Sequence, residues 1–141
     1  MSYKFKTTKE RSRLMQRIKS SNTTPERILR KALLKIRLKH KRGNKNLPGK
    51  PDIVLSNDKV VIFIDGEFWH GYKWREKKKK LKANRAYWIP KIERTIKRDK
   101  SNNKKLKKIG WHVIRLWQHQ IVKDLPKCIQ MIRGKAKKVS R

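Results

Sequence analysis

The apolar positions of this chain change period several times, and each change marks an element. Leu29, Leu33 and Ile36 recur at helical spacing after Thr23-Thr24-Pro25-Glu26. That tetrapeptide reads as a helix start: Thr23 can cap, Pro25 suits an early helical position, and Glu26 completes a capping box. Upstream, residues 1–22 are basic and polar, with only a weak helical pattern at Leu14 and Ile18, and read as a basic arm. Residues 40–50, with Gly43 and Leu47-Pro48-Gly49, read as a loop. Residues 52–56 then read as a strand, Asn57-Asp58 as a turn, and 59–64 as a second, buried strand ended by Asp65-Gly66. A lysine-dense loop is expected over 71–83. A long helix is expected over about 84–108, with Trp88, Ile92, Ile96, Leu106 and Ile109 as its apolar face and Gly110 as its stop. Residues 111–117 alternate as a strand, and a short helix near 126–132 precedes a basic tail. There is no internal repeat. The order helix, hairpin, helix, strand predicts an α/β domain over 23–132, with an arm at 1–22 and a tail at 133–141.

Charge narrows the function. Lysine and arginine number 43 against 10 acidic residues, a formal charge of +33. Such a charge repels itself on folding and points to a polyanionic partner. Nucleic acid is the default, because each neutralised phosphate releases condensed counterions. A membrane partner is not expected, since the longest apolar run covers only residues 60–64. Met-Ser-Tyr-Lys-Phe-Lys at the start shows no apolar signal region, and Cys128 is the single cysteine. A cytoplasmic location is therefore the expectation.

The acids stand out against this background. Asp52 precedes three apolar residues at the start of a strand, where a carboxylate is costly without compensation. Asp65 ends the partner strand, and two acids at one end of a hairpin suit a hard divalent ion as well as they suit turn capping. Counting in threes and fours from Ile96 reaches Asp99 and then Asn103, so Asp99 falls on the apolar face of the long helix. It is a functional candidate or a structural ion pair. Glu26 lies three residues before Leu29, on the inward face of the first helix, where the capping box is its simpler role. His70 closes Gly66-Glu67-Phe68-Trp69-His70-Gly71 and is a candidate proton carrier. Phe68, Trp69 and Trp88 lie among cations, which suits stacking on or wedging between bases; the two tryptophans, Trp88 above all, can instead be core. Lys77, Lys78, Lys79 and Lys80 are candidate phosphate contacts.

These motifs together resemble a known family. Leu47-Pro48-Gly49-Lys50-Pro51-Asp52, followed by Val61-Ile62-Phe63-Ile64-Asp65-Gly66-Glu67-Phe68-Trp69-His70, is similar to the central signature of the very short patch repair (Vsr-type) DNA mismatch endonucleases. Tyr87-Trp88 through Lys91-Ile92, then Arg98-Asp99 and Gly110-Trp111, stand in that family's order and spacing, as does the stretch from Arg13-Leu14-Met15 to Glu26. The resemblance covers roughly residues 9–122. It implies a restriction-endonuclease-like α/β fold, a mixed central sheet flanked by helices. It also implies Mg²⁺-dependent hydrolysis of one strand of double-stranded DNA, 5′ of the mismatched thymine in a T:G pair. On that basis Asp52 is the principal metal ligand, helped by the backbone carbonyl of Ile64. His70 is the general acid/base, with Asp99 and Glu26 positioning water and His70. Phe68, Trp69 and Trp88 enter the duplex, and the arm around Met15 presses on the DNA.

Two departures qualify the match. Better-known members hold a structural zinc through cysteines and histidine, where this chain has Glu67, Tyr72, Trp74 and His119. Zinc is therefore not expected, and packing of Tyr72 and Trp74 can stand in for it. Many members also carry histidine where Asp65 stands; an acid there can ligate the metal directly or shift which side chain activates water. The alternatives are a homing or restriction endonuclease of the same fold, which shares the same acids and histidine, and a basic nucleic-acid scaffold. A scaffold needs the lysines but has no use for Glu26, Asp52, His70 and Asp99 together. Repair or methyltransferase partners are not readable from the residues.

Overall fold

A computed structural model describes residues 23–43 and 46–139. Helix α1 (Thr24–Lys35) leads into a short strand β1 (Lys41–Arg42), then β2 (Ile53–Leu55) and β3 (Val60–Asp65). Helices α2 (Trp74–Lys80) and α3 (Arg85–Lys108) carry the chain to β4 (His112–Trp117), and α4 (Gln118–Lys123) and α5 (Leu125–Val139) follow. The strands lie in the order β1-β2-β3-β4. The first two pairings are antiparallel, whereas β3 and β4 run parallel from Val60 opposite His112 to Asp65 opposite Trp117. The protein is α/β, with the expected mixed sheet flanked by helices.

The two-residue period of the strands sorts side chains between two cores. Ile53, Leu55, Val60, Ile62, Ile114 and Leu116 face one side, where they meet Leu29 and Leu33 of α1, Ile121 of α4, and Cys128 and Ile132 of α5. Val54, Val61 and Phe63 face the other, against Leu106 of α3. β2 and β3 are therefore covered on both faces, which is why they read as nearly unbroken apolar runs. Burying each large aliphatic side chain contributes roughly 1.5–3 kcal/mol, so this two-sided burial fixes the register of the strand ends.

Several expectations change. Thr23 makes no side-chain cap bond, so the capping box does not form; Glu26 is buried instead. Residues 74–80, expected as loop, are helical. Lysine is a good helix former, and Arg85 offsets the exposed carbonyls at the end of α2 by donating to the carbonyls of Lys78 and Leu81. Glu93 of α3 ties the same helix down through Trp74 Nε1 (3.2 Å) and Lys78 Nζ (3.0 Å). The expected loop over 40–50 contributes β1, and residues 118–123 form α4, an element the sequence pattern did not predict. The last helix runs well past residue 132, because Cys128, Ile132 and Ala136 extend one buried stripe at a spacing of four. Ile109 is exposed, since α3 ends one residue before it and Gly110 turns away at φ +94°. The arm with Met15 lies outside the described residues. Among those described, no helix is long and apolar enough to cross a membrane.

Candidate active site

The C-terminal end of β3 gathers the acids. Asp52 lies beside it because β2 and β3 are antiparallel: its amide donates to the carbonyl of Ile62 (3.0 Å). Its carboxylate accepts from the Ile64 amide at 2.7 Å, which places that carboxylate alongside the Ile64 backbone. Burial raises the Asp52 pKa to about 6; the Ile64 bond opposes this, while the charges of Glu26 and Asp65 add to it. Glu26 reaches the same region from α1. Its Oε2 has no hydrogen-bond partner among the described residues and meets only Arg30 Nε, at 3.7 Å. Asp52, Asp65 and Glu26 thus bring like charges to one buried end of the sheet, an arrangement suited to holding a cation. The donors on offer, carboxylate and backbone oxygens, are the hard ligands that Mg²⁺ takes.

His70 arrives on the loop after β3. The loop winds through a bond from the His70 amide to the Gly66 carbonyl (3.1 Å) and another from the Tyr72 amide to the Glu67 carbonyl (2.9 Å). It then presses Gly71, at φ +73°, against Ile92 and Ile96 of α3, where any side chain would collide with Ile96. This docking sets His70 Nδ1 2.6 Å from Asp99 Oδ2 and 3.6 Å from Asp65 Oδ1. Burial works against a charged ring, but the bond to Asp99 and the charges of Asp65 and Asp99 outweigh it. The His70 pKa lies above its ordinary value.

Asp65, Asp99 and His70 could together ligate a metal ion by proximity. Asp65, however, is already engaged: Arg115 Nη1 of β4 donates to both its oxygens, at 3.0 and 3.1 Å. Burial raises the Asp65 carboxyl, and Arg115 and His70 pull it back only in part. Sequence reasoning does not single out Arg115, although a cation between Ile114 and Leu116 in an alternating strand is a usable signal. Its partner Asn103 falls where helical counting from Asp99 puts it.

Phe68, Trp69 and Trp88 pack edge to face, with centroids 4.9–5.5 Å apart. Phe68 is exposed and Trp69 half-buried, whereas Trp88 is only 6% exposed and supports them from within. Lys91 Nζ lies 5.1 Å from the Trp69 ring. Lys77, Lys79 and Lys80 lie along α2 facing solvent to differing degrees, whereas Lys78 is paired with Glu93. Glu67 accepts from the amide (2.7 Å) and ring Nδ1 (2.8 Å) of His119, and Tyr72 packs edge-on against His119 and Trp117. These contacts join the His70 loop to the start of α4. Burial raises the Glu67 carboxyl, but the bonds it accepts prevail and hold it below the ordinary range. Trp74 lines a cavity with Glu67, Phe68 and Gly71 and donates from its ring to Glu93.

Comparison with known proteins gives a consistent picture. The profile of the family "DNA mismatch endonuclease Vsr" matches residues 4–76. The chain is 41% identical over 127 residues to the type II nicking enzyme V.NmeDIP of Neisseria meningitidis serogroup C, covering 90% of this chain and 86% of that one. It is 38% identical over 119 residues to the type II nicking enzyme V.NaeI of Lentzea aerocolonigenes, covering 81% and 70%. It is 32% identical over 109 residues to the DNA mismatch endonuclease Vsr of Escherichia coli (strain K12), covering 77% and 69%.

Proposed function

The chain belongs to the Vsr family of DNA endonucleases, and from that premise we propose that it nicks one strand of duplex DNA on the 5′ side of a T:G-mismatched thymine. The observation that carries the proposal is one juxtaposition. The His70–Asp99 pair and the Asp52 carboxylate converge at the end of β3, and His70 shares its loop with Phe68 and Trp69.

Asp52 and the Ile64 carbonyl would hold Mg²⁺, which when bound lowers the pKa of water and offsets charge on the phosphate. The remaining work belongs to the protein. Asp99 accepts from His70 Nδ1, which selects the tautomer and leaves Nε2 to exchange a proton with water or the leaving oxygen. Glu26, with an unsatisfied oxygen, is suited to orient the attacking water. Phe68 and Trp69, braced by Trp88, would wedge into the stack beside the mismatch. Unstacking costs a few kcal/mol per step and is cheapest at a weakened pair. The arm around Met15 would press on the DNA, as the family resemblance implies.

The test is nicking of end-labelled duplexes that differ only by T:G against T:A, with and without Mg²⁺. One-strand cleavage of T:G that is faster than T:A and abolished by chelator is the expected result. Equal rates on both duplexes would refute mismatch recognition and favour a homing or restriction activity.

A further inference from the structure

Arg115 touches two members of the Asp65–His70–Asp99 group, and from β4 it is held by side chains of two other elements, α3 and β3. From β4, its Nε donates to Asn103 Oδ1 of α3 at 2.8 Å, and its Nη1 donates to both oxygens of Asp65 at the end of β3. The same Nη1 is 3.6 Å from Asp99 Oδ1, and the guanidinium lies 4.0 Å from the Phe63 ring centroid. The parallel register makes this possible: Arg115 is paired with Phe63, two residues before Asp65. Both oxygens of Asp65 are thereby occupied, and Asp65 Oδ1 in turn lies 3.6 Å from the His70 ring.

We propose that Arg115 is a positioning residue, which fixes Asp65 and Asp99 around His70 and commits Asp65 to an ion pair instead of a metal ion. The inference rests on the reading of this cluster as the site of DNA cleavage. Without a cation, Asp65 and Asp99 would repel each other across His70. A planar fork is required, because a lysine offers one point charge and cannot serve Asn103 and Asp65 in fixed directions.

The experiment compares Arg115→Lys, Arg115→Met, Asp65→Asn and Asp52→Asn in the full chain, with folding verified by circular dichroism. Calorimetry with Mn²⁺ as the probe should show that Asp65→Asn keeps its affinity within about threefold, while Asp52→Asn loses it. Nitrogen-15 spectra of the metal-free protein, taken above the pH at which His70 loses its charge, should show His70 fixed with its proton on Nδ1, and mixed tautomers in Arg115→Lys, which keeps the charge and guards against a merely unfolded Arg115→Met. Single-turnover nicking should fall about 10- to 100-fold in Arg115→Lys with KM for DNA little changed. Adding Arg115→Met to Asp65→Asn should cost much less than Arg115→Met alone, since the two act as one unit.

Loss of Mn²⁺ binding in Asp65→Asn comparable to that in Asp52→Asn would make Asp65 a ligand and overturn the proposal. So would a raised KM and a salt slope shallower by about 1 in Arg115→Lys with nicking rate intact, the signature of a phosphate contact. A wild-type protein that nicks no duplex would defeat the nuclease reading, while the calorimetric and spectroscopic arms would still decide the role of Arg115.

Discussion

His70 Nδ1 and Asp99 Oδ2, 29 residues apart in sequence, lie 2.6 Å apart in the fold. The bond joins the loop after β3 to the middle of α3, and it rests on Gly71, whose lack of a side chain lets the loop lie on Ile96. Because Asp99 accepts, the proton is assigned to Nδ1, and the bond both orients the ring and favours its charged form.

Removing that acceptor should be read in the pH profile. In Asp99→Asn the burial of His70 remains while the bond to a carboxylate is gone, so its pKa should fall from above toward or below the ordinary 6.5. The limb of the single-turnover profile that reports His70 should move to lower pH, and the maximal rate should drop by about 10²–10⁴-fold. An unmoved limb would separate His70 from the proton transfer.

Asp52→Asn should abolish nicking and leave DNA binding in place, since the lysines still meet phosphate. It should also stabilise the metal-free protein. The folded pKa, about 6, exceeds the ordinary 3.8, so the stabilising contribution is present below 3.8 and is lost as pH rises through about 6. Above that, a buried charge must be carried at a cost of at most about 3 kcal/mol. Thermal melts should show Asp52→Asn gaining a few degrees at pH 7.5 and little at pH 4; no gain at pH 7.5 would contradict the assigned burial cost.

Trp69→Ala should shrink the T:G over T:A rate ratio more than it weakens affinity, because phosphate contacts are indifferent to the mismatch. Trp88→Ala should lower the melting temperature as well, since Trp88 is buried beneath Phe68 and Trp69. An unchanged ratio in Trp69→Ala would exclude the wedge.

The lysines of α2 differ in kind. Replacing Lys77, Lys79 and Lys80 with glutamine should weaken binding to every duplex equally and reduce the salt slope by about one for each phosphate left without its cation. Lys78→Gln should act on stability instead, through its pair with Glu93. Filter binding across a salt series separates the two.

The Glu67–His119 pair joins the His70 loop to α4 through protein groups alone. Glu67→Ala should cost about 1–3 kcal/mol by leaving the His119 amide without its partner. Purified protein should carry no stoichiometric zinc, because a structural site needs four good ligands, mostly cysteine and histidine. About one zinc per chain by elemental analysis would disprove this.

The sequence by itself determined the principal strands and the two longest-striped helices, the α/β order and the family, because strand alternation, helical stripes and the Leu47–Asp52 and Ile64–His70 motifs are local patterns. It placed Asp99 and Asn103 on one helix face, since helical spacing alone settles that. It misread Glu26 as a cap and residues 74–80 as loop, because a buried carboxylate beside Arg30 and a helix tied to Glu93 depend on partners outside the local pattern. Tertiary structure alone decided the state of Asp65. The parallel pairing of β3 with β4 brings Arg115 against it across 50 residues of chain, and no spacing in the sequence encodes which strands become neighbours. The same holds for Trp88: its position on α3 was legible, but its burial follows from where the loop carrying Phe68 and Trp69 comes to rest. Local periodicity sets which way a side chain points, and long-range pairing sets what it meets.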